Sequence, residues 1–490
     1  MKNRIKILTL LFLILSISGC KNFLDVNEPD NEVPEKYFEL KLLLPTIEKY
    51  TVNMDFSRAF PMSQLQQHTA SYHSGGVDRH YETSMGNVWY NYYTKILYTI
   101  KKTKKLAEEK DAKHYKGVIQ ILEALSLGMV TDTYGDMPYT EAGYDLDNLD
   151  PDINTQQEIY QEIQDLLTKG INNITSTDNS PFSNVQNDII YGGDLSKWER
   201  LAYTLKARYA LHLIKKNGAI ASAQEALNYL QNGFTSNDDD FQLFYSERIK
   251  NPWHTSVVLA SKTGNVSVLF SERLVNYMNG MVLGTADIDP RLPNYADNGG
   301  AATYEGAQNG NKGKTSAGTD ANAIFNENGY YFKQDSPLVL VSYMEAQFLK
   351  AEAEFLVNGG TPTSIGSTQA AYDAYMEGIT ASMDKMGIDS ALKNAYLSDP
   401  AIAVTPANLK MQNIMVQKYI ALLLNPEIFT DLRRYDFSTD VYPTFDFPVN
   451  RNPDMPAGEW PRRAIYPSGE VDMNSHITQV NFWDKVWWDQ

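Results

Sequence analysis

The clearest hydrophobic patterns along the chain have the period of an α-helix. Residues 117–130 (GVIQILEALSLGMV) are apolar on nearly every face, which predicts a buried helix. Thr155 and Glu158 stand at the spacing of a capping box, with an apolar stripe behind them. Ser196 and Glu199 repeat this arrangement before a further apolar run. Each pattern predicts a helix that begins at the capping residue.

Two further helices are predicted in the C-terminal half of the chain. Residues 343–356 (YMEAQFLKAEAEFL) carry an apolar face at helical spacing. Thr405-Pro406 is a start signal for another helix, and Asn425-Pro426 is its stop signal. Alternating patterns of period two are rare and short, so we expect a mainly α fold with few short strands.

Small side chains stand where neighbouring helices would cross. These residues are Ala124, Ala202, Ala210, Ala351 and Ala353. They favour stacked helical hairpins like tetratricopeptide units, although the sequence shows no clean repeat of about 34 residues. The helical runs are separated by long irregular stretches: residues 176–194, residues 297–323, predicted as a mobile surface loop, and the tail from Tyr442. Long loops in a helical domain are often functional, so we expect the binding site there.

The N-terminal sequence has the pattern of an export signal followed by a lipid-attachment site. Basic residues at Lys2, Arg4 and Lys6 precede an apolar run of about 12 residues, which is too short to span a membrane. Ser18-Gly19 leads directly into Cys20, the only cysteine of the chain, in the manner of a bacterial lipobox. We therefore predict a signal peptide over residues 1–19, lipidation at Cys20 and one mature domain over residues 20–490. Several acyl chains make such an anchor stable.

Composition narrows the possible functions. With 60 acidic and 43 basic residues, the net charge of −17 argues against nucleic acid as a partner. Once Cys20 is lipidated, no thiol remains for disulfides or for metal binding. Lys21 follows the cysteine, which allows sorting to the outer membrane. The 31 tyrosines and 7 tryptophans fit a surface that stacks on sugars, and they fit a large aromatic core equally well.

Candidate ligand residues lie on three irregular segments. Tyr72, His73, Arg79 and Tyr81 share one glycine-containing loop with His68 and His80, and this loop leaves three alternatives open: a metal site, a ligand-facing loop or a plain loop. Trp253 and His254 form a second site, in a turn that looks exposed, and Tyr304 is the candidate from a third segment. No metal-ligand spacing of the H-E-x-x-H kind occurs, so we predict neither a metal nor a cofactor.

Other conspicuous polar residues have structural explanations. Glu345, Glu352 and Glu354 could supply a general acid and base, but ion pairs with Arg462 or Arg463 are favoured, and Arg433 and Arg434 are interpreted in the same way. In the YGDMPY motif, Gly135 permits a positive φ, Asp136 accepts backbone donors and Pro138 fixes the exit direction. His212 is predicted to be a satisfied core or edge residue.

A series of motifs resembles the SusD/RagB family of nutrient-binding lipoproteins of the Bacteroidetes outer membrane. They occur in order along nearly the whole chain: CKNFLDVNEP at 20–29, NVWYNYYTKI at 87–96, DTYGDMPYTEA at 132–142, KWERLAYTLKARYALHL at 197–213, DPRLPNY at 289–295, YMEAQFLKAEAEF at 343–355, IALLLNPEIFTDLRRYDF at 420–437 and RRAIYPSGEVDMN at 462–474. Each motif alone is weakly specific, whereas the ordered set is hard to obtain by chance.

The resemblance implies a scaffold of four tetratricopeptide-like helix pairs with irregular ligand-facing segments. It also implies a surface-exposed lipoprotein that covers a TonB-dependent outer-membrane transporter and passes a nutrient to it. We therefore expect a non-catalytic binding protein whose ligand is a glycan or oligosaccharide, with a peptide as the alternative. A surface hydrolase and a pure interaction scaffold are the competing hypotheses, but the sequence lacks a G-x-S-x-G element.

Overall fold

A computed structural model of the protein describes residues 39–73, 76–143 and 148–490. The predicted signal peptide and the lipidation site at Cys20 lie outside these residues. The described helices are α1 (Leu40–Leu65), α2 (Gly86–Asn91), α3 (Tyr98–Glu109), α4 (Lys113–Tyr134), α5 (Gln156–Thr175), α6 (Leu195–His212), α7 (Ile214–Asn217), α8 (Ala219–Leu230), α9 (Ala260–Lys262), α10 (Glu272–Met278), α11 (Leu292–Tyr295), α12 (Tyr343–Val357), α13 (Gln369–Lys385), α14 (Ser390–Ser398), α15 (Met411–Ala421), α16 (Glu427–Arg434) and α17 (Ser468–Met473).

The strands are short and pair two by two. They are β1 (Thr69–Ser71), β2 (Met137–Pro138), β3 (Ile153–Asn154), β4 (Phe241–Leu243), β5 (Val268–Phe270), β6 (Ala296–Asp297), β7 (Ile324–Phe325) and β8 (Leu338–Val341). The antiparallel pairs are β1 with β5, β2 with β3, β4 with β8 and β6 with β7. Thr69 lies opposite Phe270 in the first pair, which joins the start of the chain to its middle. The predicted mainly α fold with few strands is confirmed.

Helix pairs build the scaffold. Helix α4 packs against α5, α6 against α8, and α12 against α13, while α15 packs on both α12 and α13. Glycines let α4 and α5 approach closely: a Cβ added at Gly117 would lie 2.5 Å from Ile174 Cγ2, and one at Gly170 would lie 2.8 Å from Ile121 Cγ1. Helix α4 is buried over almost its whole length, as predicted for residues 117–130. The tetratricopeptide-like pairing is therefore present in the described residues.

The helix ends confirm one capping prediction and correct two others. The Thr155 hydroxyl accepts the Glu158 backbone N–H, and the Glu158 carboxylate accepts the Thr155 N–H, which completes the capping box. Helix α6 does not use Ser196 and Glu199 in this way, because Asp194 caps it by accepting the Ser196 N–H. Thr405-Pro406 begins only a 3₁₀ turn, Pro406–Asn408; helix α15 starts at Met411.

Buried ion pairs hold the helices to one another. Arg208 of α6 donates to both carboxylate oxygens of Glu345, at 2.6 Å each, and Arg434 of α16 donates to Glu352 at 2.7 and 3.0 Å. All four side chains are almost completely buried. The interpretation of these glutamates as scaffold ion pairs is confirmed, whereas the predicted partners Arg462 and Arg463 are wrong for them. Arg462 pairs instead with Asp489 and Asp436.

The irregular stretches are more tightly held than the sequence predicts. In residues 297–323, the centre at Ala307 and Asn309 is buried, and the Asn309 side chain donates to the Thr69 carbonyl at 2.9 Å. The centre of this stretch is therefore an inner turn rather than a surface loop. The tail also contributes to the core, because Trp488 is fully buried and donates its indole N–H to Asp132 at 2.9 Å.

Candidate functional site

The chain segment of residues 66–73 and 76–82 follows helix α1 and includes β1, which pairs with β5. His68 is fully buried in it: its Nδ1 accepts the Leu424 backbone N–H at 3.0 Å, so its Nε2–H donates to the Tyr419 carbonyl at 3.0 Å. Burial lowers the pKa of His68 to about 3. A neutral imidazole with both nitrogens engaged therefore anchors the loop.

Asp78 joins this loop to the inner turn of residues 306–316. Its Oδ2 accepts the backbone N–H groups of Ser71 at 3.0 Å and Gly310 at 2.8 Å. Gly310 has a φ of +84°, and a Cβ there would lie 1.8 Å from the Val449 carbonyl oxygen. Burial raises the pKa of Asp78, and these backbone donors oppose that rise. Asp78 therefore fixes how the two segments meet.

A third segment, residues 444–460, closes the arrangement. Arg79 Nε donates to the Asn450 carbonyl at 2.5 Å, and the Asn452 N–H donates to the Arg79 carbonyl at 2.8 Å. The Asn450 side chain reaches the Gly310 carbonyl at 3.2 Å. The three segments, residues 66–82 without the undescribed 74 and 75, residues 306–316 and residues 444–460, thus meet at one place, and we call their joint surface the candidate site.

An aromatic stack runs from the core to the surface of the candidate site. Trp460 lies between Phe437, with ring centroids 4.6 Å apart and planes at 7°, and Phe447, at 4.3 Å and 23°. Phe447 is 39% exposed, and the Arg451 guanidinium lies 4.5 Å from its ring centroid. His80 packs beneath this stack against Trp460, and burial, followed by the charge of Arg451, lowers its pKa to about 3. The stack offers a supported aromatic face to solvent.

A polar cleft of about 170 Å³ adjoins the stack. It is lined by Gln67, Glu272, Arg273, Asn276, Gln308, Asn309, Asp446, Phe447 and Pro448. Among these residues, Arg273 donates to Gln67 Oε1 at 3.3 Å and to Thr444 Oγ1 at 2.5 Å. Its guanidinium lies 3.8 Å from the Asp446 carboxylate. Amides, a guanidinium and carboxylates beside an aromatic face are the groups that bind sugar hydroxyls and sugar rings.

Four of the predicted ligand residues lie on the first segment of the candidate site, and none of them lines the polar cleft. Tyr72 is 41% exposed, packs against His73 and covers Gly313 of the inner turn. His73 is exposed, and Arg79 stacks over the ring of Tyr81 with its guanidinium 5.3 Å from the centroid. Tyr304 is different, since it lies half-buried against the core on the segment that leads into the turn.

The prediction that Trp253 is exposed is wrong. Trp253 is only 4% exposed and packs against Phe56 and Phe60 of helix α1, with ring centroids 5.1 and 5.7 Å away. The backbone N–H of Trp253 donates to Asn251 Oδ1 at 2.7 Å. The apparent turn is therefore the capped start of a helical segment, which continues as the π-helical turn His254–Leu259. The side chain therefore points into the core, and His254 is buried with it.

The sequence alone does not identify the residues of the stack and the cleft. Phe447, Arg451 and Trp460 lie in the tail, where prolines and aromatics are frequent and no local pattern distinguishes these three. Arg273 and Asn276 lie on helix α10, where nothing in the sequence separates them from ordinary surface residues. Only the pairing of β1 with β5 brings them beside Gln67.

Two further features bear on other functions. Among the described residues, no group of three or more His, Cys, Asp or Glu side chains is arranged to hold a metal ion. No helix within the described ranges combines the length and the apolar character needed to cross a membrane.

Comparisons with known proteins agree with the fold. The family described as starch-binding and associating with the outer membrane matches residues 30–467. A chitin-binding protein of known structure is 24% identical, with a TM-score of 0.73, over 92% of this chain and 99% of its own. A SusD/RagB family protein from Bacteroides thetaiotaomicron is 21% identical, with a TM-score of 0.70, over 92% and 99%. A chitin-binding SusD homologue from Flavobacterium johnsoniae is 21% identical, with a TM-score of 0.70, over 92% and 98%. At these identities the structures show a shared fold. A search of curated proteins finds no match.

Proposed function

Since the chain belongs to the SusD-like family of starch-binding proteins that associate with the outer membrane, we propose that it is a non-catalytic surface lipoprotein that binds a glycan. The observation that carries this proposal is the candidate site itself. A supported aromatic face at Phe447 stands beside a polar cleft around Arg273, and both are held by a rigid helical scaffold. Such a surface can stack a sugar ring and hydrogen-bond its hydroxyls at the same time.

The carboxylates of the candidate site support binding rather than hydrolysis. A glycosidase needs one carboxyl group kept protonated by an apolar environment and a second one across the scissile bond. Here Asp446 is largely exposed beside Arg273, and Glu272 accepts a hydrogen bond from Ser316. Asp78 is buried, but its Oδ2 accepts two backbone N–H groups that hold the loop in place. Asp78 therefore has a structural role, and Asp446 is exposed to solvent.

Anchoring and delivery complete the proposal. The lipobox sequence at Cys20 would tether the protein to the outer membrane. From there the bound glycan would pass to a TonB-dependent transporter, as the family association with the outer membrane suggests. Starch oligosaccharides and chito-oligosaccharides are the first ligands to examine, because the family description and two structures of the same fold point to them.

The proposal is tested by titrating the purified protein with a panel of oligosaccharides and, in parallel, with peptides. We expect at least one glycan to bind by isothermal titration calorimetry and to be recovered intact after prolonged incubation. Recovery of shortened products would indicate a hydrolase. Binding of peptides alone would identify the alternative, a peptide-binding member of the family, and binding of neither class would favour a pure interaction scaffold.

A further inference from the structure

A second groove, of about 540 Å³, lies apart from the candidate site and is larger than its cleft. Helices α3, α4 and α5 and the residues after β2 form its walls. It is lined by Lys101, Lys102, Lys104, Lys105, Glu108, Glu123, Tyr139, Thr140, Gly143 and Glu162. The two surfaces share no lining residue, so a ligand in one does not use the side chains of the other.

The helical segment that supplies the lysines of the groove is basic, although the whole chain is acidic. Residues 95–116 contain eight lysines and three acidic residues, although the net charge of the protein is −17. The carboxylates of the groove have identifiable surroundings: Glu123 accepts hydrogen bonds from Lys104 at 2.6 Å and from Tyr139 at 2.9 Å, and Glu108 pairs with Lys116 at 2.8 Å. Burial raises the pKa of Glu162. Among the residues that line the groove, four are lysines and three are glutamates.

Hydrogen bonds within the protein hold two of these lysines, Lys101 and Lys104, in position. Lys101 Nζ donates to the carbonyl oxygens of Tyr139, at 3.1 Å, Thr140, at 3.3 Å, and Ala142. Lys101 is partly buried, and this burial lowers its pKa to about 8. Glu123, which is 1% exposed, accepts a hydrogen bond from the Lys104 ammonium group. Since these ammonium groups are held by buried or backbone partners, little side-chain freedom is lost when a ligand binds beside them.

Exposed tyrosines continue the groove along the same helical segment. Tyr90 is 55% exposed and Tyr98 is 39% exposed, and we call these two tyrosines, with Thr94 and Lys102 of the same helical segment, the tyrosine stripe. Lys95 lies 5.9 Å from the ring centroid of Tyr90, and Lys102 lies 5.6 Å from that of Tyr98. The π-helical turn Tyr92–Leu97 joins α2, which carries Tyr90, to α3, which carries Tyr98. Exposed aromatic rings of this kind can stack on sugar rings.

We propose that the lysine groove and the tyrosine stripe bind a segment of an acidic polysaccharide. Its carboxylate or sulfate groups lie against the lysines of α3, and its sugar rings stack on Tyr98 and Tyr90. An ammonium group attracts either anion as a point charge, so uronic acid polymers and sulfated polymers share the required chemistry. The groove shares no lining residue with the cleft of the candidate site, so variants of one surface leave the side chains of the other unchanged.

Affinity electrophoresis of the purified protein in gels that contain polygalacturonate, chondroitin sulfate or neutral dextran tests this proposal. We expect at least one acidic polymer to retard the wild-type protein and dextran to leave it unaffected. Which acidic polymer retards the protein separates carboxylate from sulfate recognition. The double variant Lys102→Glu/Lys105→Glu should weaken the interaction at least tenfold. Tyr98→Ala, which leaves the charge unchanged, should weaken it severalfold.

The matched control is Lys333→Glu/Lys350→Glu, which makes the same change of net charge at two exposed lysines outside the groove. Thermal melting of each variant confirms that it is folded. The proposal is overturned if neither acidic polymer retards the wild-type protein. It is equally overturned if the control variant loses as much affinity as the groove variant, or if Tyr98→Ala binds as tightly as the wild type.

Discussion

His212 lies between two buried carboxylates at the centre of the scaffold. Its Nε2 is 3.1 Å from Glu427 Oε2, and its Nδ1 is 3.5 Å from Asp132 Oδ2. Burial opposes the charged imidazolium, but Asp132 and Glu427 outweigh it and raise the pKa of His212 above 6.5. The same cluster, with Arg208 as its main cation, holds the pKa of Glu427 well below its usual value. His212 is therefore a core residue, as its helical position predicts.

This geometry predicts a pH-dependent contribution of His212 to stability. Because folding raises its pKa, the stabilising charge is fully present below about pH 6.5 and is lost as pH rises through the folded pKa. His212→Gln should lower the free energy of unfolding by about 1–3 kcal/mol at pH 6, and by less at pH 9. Urea denaturation at both pH values measures this difference. The same substitution at exposed His73 is the control, and an equal loss at both pH values in His212→Gln would contradict the account.

Trp253 and Tyr72 are both aromatic, but their surroundings predict opposite effects of alanine. Trp253→Ala removes a buried indole from beside Phe56 and Phe60, which should cost about 3–5 kcal/mol of stability and lower the melting temperature by several degrees. Tyr72→Ala should leave melting nearly unchanged and cost at least about 2 kcal/mol of glycan binding. Calorimetric titration measures the affinity of both variants for the glycan, and thermal melting measures their stability. If Trp253→Ala lost affinity at an unchanged melting temperature, Trp253 would belong to the binding site and not to the core.

Residue identity alone separates these roles poorly. The loop with Tyr72, His73, Arg79 and Tyr81 is recognisable as a surface segment because glycines and polar residues surround it. The sequence does not decide whether Trp253 is exposed, because Asn251-Pro252 is typical of a turn and of a helix start alike. The partners of Glu345 and Glu352 are also unpredictable, since several arginines fit the same charge and only the packing of the helices selects Arg208 and Arg434.

At the scale of elements, close helix contacts depend on glycine at the α4–α5 crossing. Gly117 lies against Ile174 and Gly170 against Ile121, so closely that neither side has space for a methyl group. Gly117→Ala should therefore destabilise the protein by about 1–3 kcal/mol, despite the better helix propensity of alanine. Gly469→Ala in α17, where a Cβ meets nothing within 4 Å, is the matched control and should be neutral or slightly stabilising. Chemical denaturation of the two variants gives the comparison, and similar effects at both positions would mean that the crossing is loose.

The helices themselves are predictable where a local signal defines them. The capping box at Thr155 and the apolar run at residues 117–130 depend only on neighbouring residues, and both helices form as expected. The short strands are not predictable, because β1 and β5 are three residues each and exist only through pairing across about 200 residues of sequence. The polar cleft depends on that pairing, so its residues escape prediction with it.

At the scale of the whole molecule, the scaffold turns its irregular segments into one surface. Residues 66–82, 306–316 and 444–460 come from distant parts of the sequence and meet through Asp78, Arg79 and Asn450. The predicted fold class follows from helical periodicity and the ordered motifs, whereas the position of the candidate site requires the tertiary structure. The sequence identifies one of its three segments and only the general character of the others.

The lipid anchor is tested on the intact cell. Cys20→Ala removes the sulfur that would carry the lipid, so the variant should leave the membrane fraction or accumulate with its signal peptide attached. Fractionation with detection of the protein and of its apparent mass measures both outcomes, and Ser18→Ala, which keeps a small residue before the cysteine, serves as the control. Membrane retention of normally processed Cys20→Ala protein would disprove the anchor.

Glycan binding at the candidate site is tested by hydrogen–deuterium exchange with and without a bound oligosaccharide from the panel. Bound sugar should slow exchange of backbone amides in residues 66–82, 306–316 and 444–460 together, because the three segments form one surface. Helix pairs of the scaffold such as α12 and α13 should change little. Slower exchange confined to regions outside these three segments would contradict the account.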